Sequence, residues 1–133
     1  MVVMQYANNG SLFSYLDQNI NNLTWMVKLW RSYKIADCLW KIHDAGLVHC
    51  NLHGGNIVMH NNAYEIKLYI CDLGLSRSVN SCKSDSTIQG VLPFIAPEVF
   101  HTCKFTQKSD IYSFGIIMYF MNHHLEIGNS IEI

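Results

Sequence analysis

Between Thr24 and Ala45 the apolar residues Met26, Leu29, Trp30, Tyr33, Ala36, Leu39, Trp40 and Ile42 recur at the three- and four-residue intervals of a helix. Lys28, Arg31, Lys34 and Lys41 fall between them and supply the predicted wet side. Thr24 is a natural N-cap after the polar link Asn19, Asn21 and Asn22, and Gly46 is a natural stop. The wide stripe predicts one long, largely buried helix. Further on, Ile66, Leu68 and Ile70 alternate with Glu65, Lys67 and Tyr69, the period of a half-buried strand. With Ile57-Val58-Met59 they bracket the turn-like His60-Asn61-Asn62-Ala63, which predicts a hairpin. Residues 75–95 are rich in Ser, with Asn, Asp and Gly, and carry no periodicity, so a long loop is expected. Ser109 then caps a helix to about Met121 that is apolar almost all round (Ile111, Phe114, Ile117, Met118, Met121), as in a helix buried in a core.

At 133 residues and 50% apolar content the chain suits a single globular unit. A net charge of -1 provides no field to gather nucleic acid or an anionic membrane, so neither partner is expected. The run Ile111–Met121 is too short to span a bilayer, and Met1-Val2-Val3-Met4 lacks the form of a signal peptide. Five scattered cysteines without a C-x-x-C pair read as reduced thiols, so a cytoplasmic location is expected. His49-Cys50-x-x-His53, with His60 and Cys71, offers zinc-type ligands but no standard zinc spacing.

The more specific signal is a series of short motifs in a fixed order. Val48-His49-Cys50-Asn51-Leu52-His53-Gly54-Gly55-Asn56 is followed by Asp72-Leu73-Gly74, Ala96-Pro97-Glu98 and Ser109-Asp110-Ile111-Tyr112-Ser113-Phe114-Gly115. These resemble the H-R-D-L-x-x-x-N, D-F-G and A-P-E signatures of protein kinases. The resemblance covers about residues 1–121 and leaves 122–133 as a divergent tail. It implies a partial kinase-like α+β fold: a mainly helical C-lobe with one small β-hairpin, lacking the small N-lobe and the last C-lobe helices. The Gly10-Ser11-Leu12 passage and the Asp110–Gly115 phrase are most similar to the tyrosine-kinase and tyrosine-kinase-like groups.

Phosphoryl transfer asks for held phosphates, a divalent metal and an acceptor for the substrate hydroxyl proton. The resemblance puts that acceptor, an aspartate in the family, at Asn51, whose amide is a negligible base. Loss of a general base costs roughly 10²–10⁴ in rate. Asn56 and Asp72 match the metal-holding positions, and an amide oxygen with a carboxylate suits Mg²⁺. Met4 would line the nucleotide pocket, the backbone of Gln5 and Ala7 would hold adenine, and Val58 would floor it. ATP with Mg²⁺ is therefore the implied cofactor.

Other positions depart from the family. Cys50 replaces the arginine that pairs with a phosphorylated loop residue, which leaves Ser76, Ser78, Ser81, Ser84, Ser86 and Thr87 as polar loop residues. His53 replaces a lysine and is a weaker, pH-dependent donor toward phosphate or substrate. His49 reads as structural, the resemblance has Asp110 steadying the loop backbone, and Glu98 lacks its usual later arginine. Three functional readings follow: a catalytically impaired pseudokinase acting through protein contacts, an active Ser/Thr or Tyr kinase whose N-lobe lies outside this chain, or a non-functional gene remnant. Protein substrates or partners are implied, and the uncovered apolar surface of the C-lobe favours association.

Overall fold

A computed structural model describes residues 6–80 and 88–123; Met4, Gln5, Ser81, Ser84, Ser86, Thr87 and the tail after His123 lie outside them. Among the described residues are four α-helices: α1 (Leu12–Asn19), α2 (Trp25–Asp44), α3 (Pro97–Thr102) and α4 (Gln107–Asn122). Four short strands, β1 (Leu47–Val48), β2 (Ile57–Asn61), β3 (Ile66–Ile70) and β4 (Arg77–Ser78), form two antiparallel pairs. The predicted hairpin is β2–β3, with Ile57 opposite Ile70 and Met59 opposite Leu68. Its inward residues Ile57, Met59 and Leu68 join Leu12, Leu16, Ile35, Leu39, Phe94, Ile117 and Met121 in the main core.

Thr24 caps α2 by accepting the Val27 N–H, and Gly46 follows the helix at φ 72°, where a side chain would be strained. The expected burial of α2 is overturned. Its inward line is Arg31, Ser32, Ile35 and Leu39, whereas Trp25, Met26, Leu29, Trp30, Tyr33 and Trp40 are exposed. Contact with β3, including Cys38 Sγ at 3.5 Å from the Leu68 carbonyl, fixes which way the last turns face. Arg31 and Ser32 lie on the same line and are carried inward. Ser32 Oγ donates to the Lys28 carbonyl at 3.0 Å. Arg31, assigned by its charge to the wet side, is only 2% exposed and lies over the Tyr15 ring at 4.2 Å.

The α4 helix also departs from expectation. Thr106, not Ser109, is its N-cap, and Ser109 completes a reciprocal capping box from the third helical position. Its buried line runs Ser109, Asp110, Ser113, Ile117, Met121, while Ile111 is 53% exposed. The polar first half of that line meets the central loop, and the apolar second half meets the core. Ser113 Oγ is satisfied by the Phe94 carbonyl at 2.6 Å and the Ser109 carbonyl at 3.0 Å. The stretch expected as loop holds β4, which pairs with β1, and a 3₁₀ turn at Leu92–Phe94. Both α1 and α3 lacked a sequence signal strong enough to announce them.

Arg31 Nε and Nη1 are buried without a hydrogen-bond partner. Each such group costs about 1–3 kcal/mol, and a desolvated cation–π contact returns about 2. Arg31→Met, which keeps the length and removes the charge, is expected to stabilise the chain by about 1–2 kcal/mol. A higher denaturant midpoint at unchanged slope checks this, and a lower one contradicts it.

Candidate functional site

The first turn of α4 carries Asp110 beneath the 49–56 loop. Its Oδ2 accepts the His49 N–H at 2.8 Å, and its Oδ1 accepts the Cys50 N–H at 3.1 Å. His43 Nε2, from the last turn of α2, lies 2.9 Å from the same Oδ2 and donates to it. The carboxylate is 1% exposed and sits at a helix N-terminus, where the backbone dipole favours negative charge. Cys50 adopts φ 70°, a left-handed conformation unfavourable for a residue with a side chain, and the Asp110 contact holds it there.

His49 is fully buried. Its Nδ1 accepts the Asn51 N–H at 3.2 Å, so Nε2 carries the proton and donates to the Cys71 carbonyl at 3.0 Å. Asn56 makes the second tie to that segment, because its carbonyl accepts the Cys71 N–H at 2.8 Å. Asn56 Nδ2 donates across the loop to the Asn51 carbonyl at 2.8 Å, which turns its Oδ1 the other way. Asp72 follows Cys71 at φ 60°. Its side chain is exposed and has no hydrogen-bond or ion-pair partner among the described residues. The loop and the Asp72 segment are thereby locked together.

Asn51 is held by its backbone, while its side-chain Oδ1 is buried without a partner. The wall beside it includes Gly90, at φ 148°; a Cβ there would stand 3.6 Å from that oxygen and 3.3 Å from Ile95. His53 is partly buried, and one of its ring nitrogens is spent on the loop itself. Its Nδ1 accepts the Gly55 N–H at 3.1 Å, and its ring stacks at 6.3 Å on Phe13 and lies 6.1 Å from Phe94. Gly54 is required there, because a Cβ would enter the Phe13 ring.

A cavity of about 410 Å³ opens above the hairpin, lined by Ala7, Val58, His60, Tyr69, Cys71 and Asp72 among others. Ala7 reaches it because the passage before α1 is bonded to β2. Asn9 N–H donates to the Met59 carbonyl at 3.0 Å, Met59 N–H to that of Gly10 at 2.9 Å, and Asn8 accepts the Asn61 N–H at 2.7 Å. Leu73 is half-exposed at the rim. The structure thus brings Ala7, Val58 and Asp72 to one cavity and puts Asn51 and Asn56 in the loop tied to it. The roles of His60, Tyr69 and Cys71 in the wall escaped the sequence reading, although the strand alternation that selects Val58 also selects His60.

Residues 1–126 match the family model for protein tyrosine and serine/threonine kinases. The chain belongs to the protein kinase family. It is 33% identical over 86% of its length to an RGS domain-containing serine/threonine-protein kinase A of Dictyostelium discoideum. It is 33% identical over 89% to a wall-associated receptor kinase-like 4 of Arabidopsis thaliana, and 32% over 97% to a putative mitogen-activated protein kinase kinase kinase 7-like of Drosophila melanogaster. The chain spans only 10%, 16% and 34% of those three proteins. Among the described residues no helix is long and apolar enough to cross a membrane.

In this kinase-family loop Cys50 is buried, and burial, with the Asp110 charge adding, pushes its thiol up to about 11. Burial also raises the Cys71 thiol, with Asp72 adding. Only the thiolate reacts, so at neutral pH native Cys50 carries about 100-fold less reactive form than an ordinary thiol. Alkylation followed by peptide mapping is expected to leave Cys50 unmodified until denaturant is added; rapid native labelling contradicts this.

Proposed function

We propose that this chain is a kinase-family domain with impaired phosphotransfer that acts through protein contacts, in a cytoplasmic setting. The carrying observation is Asn51, whose side-chain oxygen is buried and unpartnered where the family resemblance calls for a carboxylate. An amide oxygen accepts a hydrogen bond but takes no proton at neutral pH, so a substrate hydroxyl meets no base. Cys50 adds to the loss, since a buried neutral thiol cannot pair with a phosphorylated activation segment.

The donors suited to Mg²⁺ with a nucleotide are retained. Asp72 offers an exposed carboxylate at the cavity, unpaired among the described residues, and Asn56 offers an amide oxygen because its nitrogen is spent on Asn51. Among the described residues no group of three or more His, Cys, Asp or Glu side chains assembles to hold a metal, so phosphate and water would complete a hard-cation shell. When bound, the metal neutralises phosphate charge. The chain's own part is to hold Asp72 and Asn56 in register through the Cys71 contacts, and to shelter adenine against Val58 and Ala7. Met4 and Gln5 are assigned to the same pocket by resemblance alone. These retained donors are what favour the second reading, an active kinase whose N-lobe lies outside this chain and whose substrates are proteins.

Labelled ATP with Mg²⁺, a generic protein substrate and the full-length gene product separate the two. The expected result is weak Mg²⁺-dependent nucleotide binding, lost in Asp72→Ala, with no phosphate transferred. Transfer that Asp72→Ala abolishes contradicts impairment.

A further inference from the structure

Before α1 the chain turns tightly over Ala7–Gly10, and the turn holds the only Asn-Gly pair in the sequence, Asn9-Gly10. Gly10 is exposed, lies at φ 66° and has nothing within 4 Å of where a Cβ would stand. The Asn9 side-chain amide makes no hydrogen bond among the described residues. The Gly10 N–H reaches the Ala7 carbonyl only at 3.3 Å, long for such a bond. The atoms on either side are held more firmly, since the Asn9 N–H donates to the Met59 carbonyl at 3.0 Å and the Gly10 carbonyl accepts the Met59 N–H at 2.9 Å. The peptide group between them can rotate without breaking either bond, and glycine accepts the change of φ. We propose that Asn9 is a modification site, closing spontaneously on Gly10 to a cyclic imide whose aspartate and isoaspartate products loosen this passage from β2.

In this step the Gly10 nitrogen bonds to Asn9 Cγ, and the side-chain nitrogen leaves as ammonia with the proton that Gly10 gives up. Water then adds at either imide carbonyl and opens the ring to aspartate or to isoaspartate. Water is the one co-reactant, and nothing is oxidised or reduced. The fold selects Asn9 because other asparagine amides are engaged. Asn8 is held at both ends by Asn61, its Nδ2 donating to the carbonyl and its Oδ1 accepting the N–H, each at 2.7 Å. Asn56 Nδ2 is spent on the Asn51 carbonyl, and Asn62 Oδ1 accepts the Tyr64 and Glu65 N–H groups. Isoaspartate carries the main chain through the side-chain methylene, which lengthens the path between the two atoms that bond Met59. Their spacing no longer matches β2, so the adjoining bridge of Ser11 to Val58 and the placement of Ala7 at the cavity are lost with it. This inference is independent of whether the domain transfers phosphate.

Ageing the full-length gene product in neutral and in mildly alkaline buffer, with peptide mapping that separates aspartate from isoaspartate, tests it. The expected result is conversion at Asn9 ahead of Asn8, Asn56, Asn61 and Asn62, faster in the alkaline sample because the attacking nitrogen must lose its proton. Asn9→Gln, which keeps the amide but closes to a larger and slower ring, is expected to lose the signal. Hydrogen exchange on the aged sample reads the consequence: the Met59 amide, protected when fresh, loses protection in the converted fraction while the centre of α4 keeps it. Asn9 intact while another of these asparagines converts, conversion that persists at the same rate in Asn9→Gln, or a Met59 amide equally protected before and after conversion would each overturn the proposal.

Discussion

The buried carboxylate of Asp110 connects three parts of the chain that are far apart in sequence. It receives two backbone N–H groups from the loop at His49 and Cys50 and one ring N–H from His43. Hydrogen bonds to a charged acceptor are worth about 1.5–3 kcal/mol each, and losing the acceptor leaves buried donors unsatisfied. The left-handed backbone at Cys50 depends on the same contact. From there the order passes outward: His49 to the Cys71 carbonyl, Asn56 to the Cys71 N–H, and so to Asp72 at the cavity. Remove the anchor and the downstream geometry has no fixed reference.

This arrangement separates two things that a kinase-family loop normally carries together. The backbone scaffold of the site is retained, with every polar group of His49 engaged and Asp72 free to meet a ligand. On the proposed reading the chemistry is what has diverged, with an asparagine at 51 and a cysteine at 50 where the family resemblance has an aspartate and an arginine. Structure and chemistry diverge because they draw on different atoms. Main-chain N–H groups and carbonyls hold the loop, so side-chain replacement at 50 and 51 leaves its path intact.

Much of this was legible in the chain. Period-two alternation identified the β2–β3 hairpin, and hydroxyl and glycine signals placed both ends of α2. Motif order supplied the family and the loop. What misled was the assumption that the apolar stripe of a helix faces inward. In α2 the inward direction is set by Ile35 and Leu39, which drags Arg31 under Tyr15 and leaves Trp25, Tyr33 and Trp40 outside. In α4 the same assumption hid the polar line Ser109, Asp110 and Ser113, buried because the loop supplies its partners. Periodicity reports that a face exists but not what packs against it. The ring contacts of His53 were equally illegible, since Phe13 and Phe94 come from segments remote in sequence.

The dependence of the site on Asp110 is tested most directly by hydrogen exchange at the His49 and Cys50 amides. If the carboxylate anchors the loop, both amides exchange only with global unfolding of the domain, as slowly as those in the centre of α4. Exchange at the rate of an exposed loop, while α4 stays protected, would contradict the account.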